Sequence, residues 1–200
     1  MALRPHKRSS SIDPDADLIP RLQAGDEKAL AELMTRRLTT IHALASRMLA
    51  DQVMAEDVTQ AVFLKTWTNA PKWVPGRAKL LTWMCRVATN QCLDILKRKG
   101  PIYSDDVPDI EDDRLNAADL MSAKDDSARI ETAMAALPPS QRAAISLCYF
   151  DALSQKDAAV ILDISVKAYE SLLSRGRKNL RQHLGSFANE LRHDQKRDAS

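Results

Sequence analysis

Lys167, Ser171, Ser174, Lys178 and Arg181 recur at intervals of three and four residues, so a helix of 3.6 residues per turn sets them on one side. Hydroxyls and cations in such a row form hydrogen bonds and ion pairs and neither make nor break covalent bonds. Glu170 falls on the same outward face and adds an acceptor. Cations suit phosphates, whereas a carboxylate is repelled by them but can accept from the amino group of cytosine in a major groove. The row therefore fits a nucleic-acid duplex. It also fits a merely solvated helix face, and this stretch alone leaves both readings open.

The elements needed to present that row are legible on either side of it. Val166, Tyr169, Leu173, Leu180 and Leu184 form the opposite, apolar stripe of the same helix. Ser154 with Asp157 three residues on is a capping box, after which Ala158, Ile161 and Leu162 give a short helix a buried side. Asp163-Ile164-Ser165 makes a turn, with Ser165 as N-cap of the second helix. Two short helices around a tight turn, the second carrying hydrogen-bonding groups outward, match a helix-turn-helix built for the major groove.

Earlier in the chain two further surfaces carry chemistry. A helix expected from about Ala55 to Asn69 places Val58, Val62 and Thr66 on one face and Asp57, Gln60, Ala61 and Leu64 on the other, a mixed surface that suits a protein interface or plain solvation. Pro71 and Pro75-Gly76 then open a loop, Asn69 to Lys79, holding Lys72, Trp73, Arg77 and Lys79. A Trp among cations can stack a nucleic-acid base, or fold back onto the core. The next helix, about Leu80 to Lys99, strings Arg86, Asn90, Asp94 and Lys97 into a polar ridge and ends in a cationic turn suited to a helix C-terminus or a phosphate backbone.

Composition excludes much else. The 200 residues hold 5 Gly, 9 Pro and few aromatics, with Ala, Leu, Ile and Met at helical spacing and no convincing strand, so the expected fold is all-α. A net charge of +2 implies no general affinity for polyanions, so any nucleic-acid contact must rest on local patches. The 3 cysteines fit neither a disulfide framework nor a metal pattern, and Cys85 and Cys92, seven apart on one helix, read as small buried hydrophobes. There is no nucleophile-base motif, phosphate loop or metal cluster, so neither an enzyme nor a cofactor or small-molecule substrate is expected. No apolar run is long enough to span a bilayer and no export signal follows the basic N-terminus, so the expected location is the cytoplasm.

The expected organisation is a basic tail (1–13), a first helical domain (14–100), an acidic linker (101–126) rich in Asp between Ser104 and Asp126, a second helical domain (127–187), and a polar tail (188–200) that frays beyond Leu184.

The stretches Ala55 to Trp67 and Leu81 to Asn90 resemble the second conserved region of bacterial RNA polymerase sigma factors, and Ala136 to Arg142 through Ser171 to Arg177 resembles the fourth. With only these two regions and a short acidic segment between them, the chain is similar to the extracytoplasmic-function (ECF) group. The resemblance implies a promoter-specificity subunit with two partners, core RNA polymerase and promoter DNA, and in the family a third, an anti-sigma factor that is often membrane-bound and stress-responsive. Carried over, Asp57, Gln60 and Leu64 match positions that bind the polymerase clamp. Trp73, Arg77, Arg86, Asn90 and Lys97 belong to elements that meet the minus-ten element and hold a flipped base. Lys167, Glu170, Ser171, Ser174 and Arg175 match recognition-helix contacts to the minus-thirty-five element, with Arg175 and Lys178 suited to its phosphates. Three positions depart from the family. Ala61 replaces an acidic residue, Glu170 and Leu172 stand where basic residues are usual, and the loop with Trp73 and Pro75 differs, so base preferences cannot be borrowed.

Overall fold

The structure is a computed structural model that describes residues 13–74, 76, 78–99, 123–149 and 153–197, with 99, 123–128 and 186–197 entering through their backbone alone. The basic tail to residue 12, Arg77, the acidic linker to residue 122 and the last three residues lie outside the described residues.

Among the described residues eight α-helices follow one another: α1 (Ile19–Gln23), α2 (Glu27–Leu49), α3 (Gln52–Asn69), α4 (Leu80–Lys99), α5 (Ala123–Ala135), α6 (Pro139–Cys148), α7 (Gln155–Leu162) and α8 (Val166–Arg197), with a 3-10 turn at Ala70–Lys72. Among the described residues there is no strand, and no helix is long and apolar enough to cross a membrane. The chain is all-α.

Local chemistry sets the helix boundaries. Gly25 takes a positive φ of 76° to end the first turn, and the Asp26 carboxylate accepts from the Lys28 amide to start α2. Asp51 likewise accepts from the Met54 amide at 3.1 Å, so α3 begins at Gln52, three residues before the apolar pattern suggests. At the other end α8 continues past Leu184 to Arg197, and no proline or left-handed residue interrupts it. α5 starts at Ala123, inside the stretch expected to be linker.

The first helices form a bundle in which α2 packs on both α3 and α4, burying Leu33, Ile41, Leu44, Met48, Val62, Met84 and Cys85. The segment before α1 fastens it. Asp15, fully buried, accepts from Arg37 at 2.8 and 3.0 Å, and the Asp13 carboxylate accepts from the Leu80 amide at 2.7 Å, capping α4 from 67 residues away. Arg36 bonds Asp17 and Glu32 on the surface; its bond holds the Asp17 carboxyl below the usual range, and bonds from Arg21 and then Arg36 do the same for Glu32.

The later helices build a second cluster from α6, α7 and α8, and the two clusters touch. α2 meets α5 and α6, while α4 meets α6 and α7, so one apolar core runs through both. At this seam the buried Arg142 guanidinium donates to the Met48 carbonyl at 3.0 Å, to the Leu137 carbonyl at 3.2 Å and to the Ala135 carbonyl. These carbonyls lie near the C-terminal ends of α2 and α5, where a cation is favoured.

Candidate nucleic-acid interface

Short-range hydrogen bonds fix the turn before α8. The Ser154 amide donates to Asp157 Oδ2 at 3.0 Å and the Asp157 amide to Ser154 Oγ at 3.1 Å, closing the capping box of α7. α7 stops at Asp163, which adopts a φ of 59°, a conformation that Asp tolerates better than most side chains. The Ile164 amide returns to the Ala159 carbonyl at 3.1 Å, and Ser165 Oγ accepts from the Ala168 amide at 3.1 Å to begin the next helix.

α8 is anchored on one side only. Tyr169 is buried and its hydroxyl donates to the Ala144 carbonyl at 3.1 Å; burial raises its pKa, so it remains a donor. Leu172, Leu173 and Leu180 are buried with it. Gly176 lets α8 approach α6 closely, because a Cβ there would sit 3.1 Å from Ile145 Cδ1. One turn on, Asn179 Nδ2 donates to Gln141 Oε1 at 2.8 Å. The other side of the helix is open, with Lys167, Glu170, Ser174 and Lys178 exposed and Ser171 half-buried. Arg175 differs from the others, being half-buried with its Nε enclosed and without a hydrogen-bond partner. Val166, expected in the apolar stripe, stands at the exposed edge.

On α3, Asp57, Gln60 and Leu64 are all exposed, Leu64 by 64%, while Val58, Val62 and Thr66 face the core. The Thr59 and Thr66 hydroxyls turn back to the Ala55 and Val62 carbonyls, so α3 buries them without stranding a donor. The helix thus offers solvent a mixed strip with an isolated large apolar side chain in it.

The elements around α4 are arranged differently from one another. Trp73 is folded back, edge-on to Trp83 with ring centroids 5.8 Å apart, and its carbonyl accepts from Gln23 Nε2 at 3.0 Å. Its indole Nε1 is enclosed without a partner. Of the two readings of this residue, the packed one is the arrangement seen. Asn90 and Lys97 are exposed. Arg86 instead reaches across to the turn of the second cluster, where it lies 3.3 Å from Asp163 Oδ1.

Sequence reasoning gave Asp13, Arg142, Asp163 and Gly176 no role beyond a turn or a motif letter. Only Gly176 carried a local signal, a glycine inside an otherwise strong helical pattern, which commonly marks a close approach. Among the described residues no group of His, Cys, Asp or Glu could hold a metal. The surfaces can bind by hydrogen bonds, charge and apolar contact.

The sigma-70 region 2 family matches residues 33–101, and the sigma-70 region 4 family matches residues 127–180. ECF RNA polymerase sigma factor SigE of Mycolicibacterium smegmatis is 31% identical over 174 residues, covering 83% of this chain and 66% of its own length. ECF RNA polymerase sigma factor SigW of Bacillus subtilis is 30% identical over 177 residues, covering 83% of this chain and 94% of its own length. Two solved structures share the fold. CnrH in complex with the cytosolic domain of CnrY aligns with a TM-score of 0.66 at 24% identity, over 86% of this chain and 97% of that one. The sigma factor RpoE in complex with the anti-sigma factor NepR from Bartonella quintana gives 0.61 at 24% identity, over 79% and 98%.

Proposed function

The chain belongs to the ECF group of RNA polymerase sigma factors, and from that membership we propose how its surfaces divide the work. It is a transcription initiation factor and not an enzyme: it binds core RNA polymerase and directs it to promoters. The observation that carries the assignment of surfaces is the strip of Asp57, Gln60 and Leu64, exposed on a helix whose opposite side is core. A polar strip around one exposed leucine suits a protein partner, and we assign it to the polymerase clamp.

The open side of α8 is assigned to the minus-thirty-five element. Lys167, Glu170, Ser171 and Ser174 stand toward base edges, with Lys178 and, after a side-chain rearrangement, Arg175 toward phosphates. Arg86, Asn90, Lys97, Arg77 and the Trp73 loop are assigned to the minus-ten element. Extruding a base costs a few kcal/mol, so Trp73 must leave Trp83 if it is to stack one. Residues 14–100 and 127–187 serve as the two DNA- and polymerase-binding units, joined by the acidic segment.

The remaining partner is an anti-sigma factor, the kind of protein with which RpoE of Bartonella quintana was solved. The chain then acts in the cytoplasm in a stress response, held at the membrane face whenever that partner is membrane-bound.

Run-off transcription with purified core polymerase on genomic templates tests the reading. Added protein should produce transcripts that begin downstream of one shared pair of elements. Unchanged transcription by core enzyme would remove the sigma assignment.

A further inference from the structure

One short segment at the start of the chain holds both Trp73 and the first residue of α4. Gln23 Nε2 donates to the Trp73 carbonyl at 3.0 Å, and Asp13 Oδ2 accepts from the Leu80 amide at 2.7 Å. The segment between these two side chains is stiff. The Ala16 amide donates to the Asp13 carbonyl at 3.1 Å, the Leu18 amide to the Asp15 carbonyl at 3.0 Å, and the Asp15 amide to Asp13 Oδ1 at 3.0 Å. It is also tied down. The buried Asp15 carboxylate takes both bonds of Arg37 on α2, while α1 buries Ile19 and Leu22 and packs on the Ala70–Lys72 turn that leads into Trp73.

We propose that Gln23 and Asp13 are positioning residues for the minus-ten strand: they pin the backbone at Trp73 and Leu80, so that the Trp73 indole swings from Trp83 to an extruded base about a fixed Cα. The proposal rests on the assignment of the Trp73 loop to the minus-ten element. Gln23 bonds the main chain of Trp73 and not its ring, so the ring can leave Trp83 while this bond stays intact. The ring gives up no hydrogen bond in leaving, because its enclosed Nε1 has no partner in the packed position, and outside it gains one. Asp13 acts at the other side of the loop. By capping Leu80 it fixes the first turn of the helix that carries Arg86 and Asn90, so the ring and the ridge keep one spacing. Stacking and hydrogen bonding to one base need their groups held within about half an ångström, which a chain segment without fixed ends does not provide. Both side chains are half-buried and spend their bonds on the protein's own backbone, so they act through Trp73 and α4 and need not touch DNA.

The test uses holoenzyme reconstituted from the full chain and core polymerase, and a single strand carrying the minus-ten element of a promoter found by run-off transcription. Gln23→Met keeps the side-chain length and removes the donor. Its affinity for the strand should fall about two- to twelvefold, the worth of one net hydrogen bond. With Trp73→Ala already in place, the same change should alter affinity by less than about one-and-a-half-fold, because the pin then has no ring to place. Asp13→Ala should weaken the strand similarly, and Asp13→Asn, whose amide oxygen still caps a helix, should restore wild-type affinity. Full affinity of Gln23→Met, or an equal loss from it with and without the Trp73 ring, would overturn the role of Gln23; failure of Asn to restore would overturn that of Asp13. Should Asp13→Ala not fold, as its thermal midpoint reports, Asp13→Asn and the Gln23 and Trp73 pair decide. Full affinity of Trp73→Ala alone would instead place the fault in the minus-ten assignment, and the proposal would fall with it.

Discussion

Arg142 on α6 and Met48 at the end of α2 are 94 residues apart in sequence and joined by a 3.0 Å hydrogen bond from guanidinium to carbonyl. The same side chain serves the Leu137 and Ala135 carbonyls, so its removal strands buried acceptors in both clusters. Each such acceptor costs about 1–3 kcal/mol to leave unpaired. Arg142→Met, which keeps much of the apolar volume, should therefore cost roughly 2–4 kcal/mol and lower the thermal midpoint followed by circular dichroism. Arg142→Lys should recover only part, since an ammonium lacks the planar fork. Full recovery with Lys would mean that charge alone matters there.

Asp57→Arg with Gln60→Ala should abolish association with core polymerase and leave helicity unchanged, because both side chains are exposed and neither supports the core. Circular dichroism and co-purification with core enzyme separate the two outcomes. Wild-type recovery of the complex would take the polymerase surface away from α3.

Glu170 should read a base. Its exposed position beside Lys167 and Ser174 lets it accept from a cytosine amino group, a contact that discriminates by about 1–3 kcal/mol when well formed. On a library randomised across the minus-thirty-five element, Glu170→Gln should lose preference at one position. Lys178→Ala should weaken all sequences alike and flatten the salt dependence. Identical base rankings for wild type and Glu170→Gln would leave Glu170 as a surface residue only.

The thiols should report folding. Burial pushes Cys85 and Cys92 from an ordinary 9.0 up to about 12, whereas Cys148 is exposed, so in the native chain maleimide should modify Cys148 alone. Above pH 9.0 the unfolded chain releases these protons while the folded chain holds them to about 12. Their contribution to stability is then complete below the lower value and is lost as pH rises through the window. Denaturant melts of Cys85→Ala/Cys92→Ala should decline less steeply with alkaline pH than wild type; equal slopes would exclude the thiols as the cause.

What could be read from the sequence is what is decided within a few residues. The Ser154 capping box, the Ser165 cap, the Asp26 cap after Gly25 and the buried Tyr169 to Leu180 stripe all follow from near neighbours, and the helix-turn-helix appears where those signals put it. Stripe edges were less clear, since Val166 sits where a 3.6-residue period drifts off the core. Contacts across the chain left no pattern to read. The Asp13 cap on Leu80, the edge-on packing of Trp73 against Trp83 and the pairing of Arg86 with Asp163 depend on which helix comes to lie beside which. Because of this, the ridge on α4 read as uniformly exposed although Arg86 is engaged.

The one-sided seating of α8 separates two inheritances on a single helix. Tyr169, Leu172, Leu173, Gly176 and Asn179 hold it to α6 and to the core, while Lys167, Glu170, Ser171 and Ser174 have no such duty. On the assignment of these four side chains proposed above, promoter preference drifts by their exchange without repacking the domain, and a transplanted set from a relative should bring the donor's preference with it. Duplicated copies of such a gene can acquire separate sets of targets at little cost in foldability.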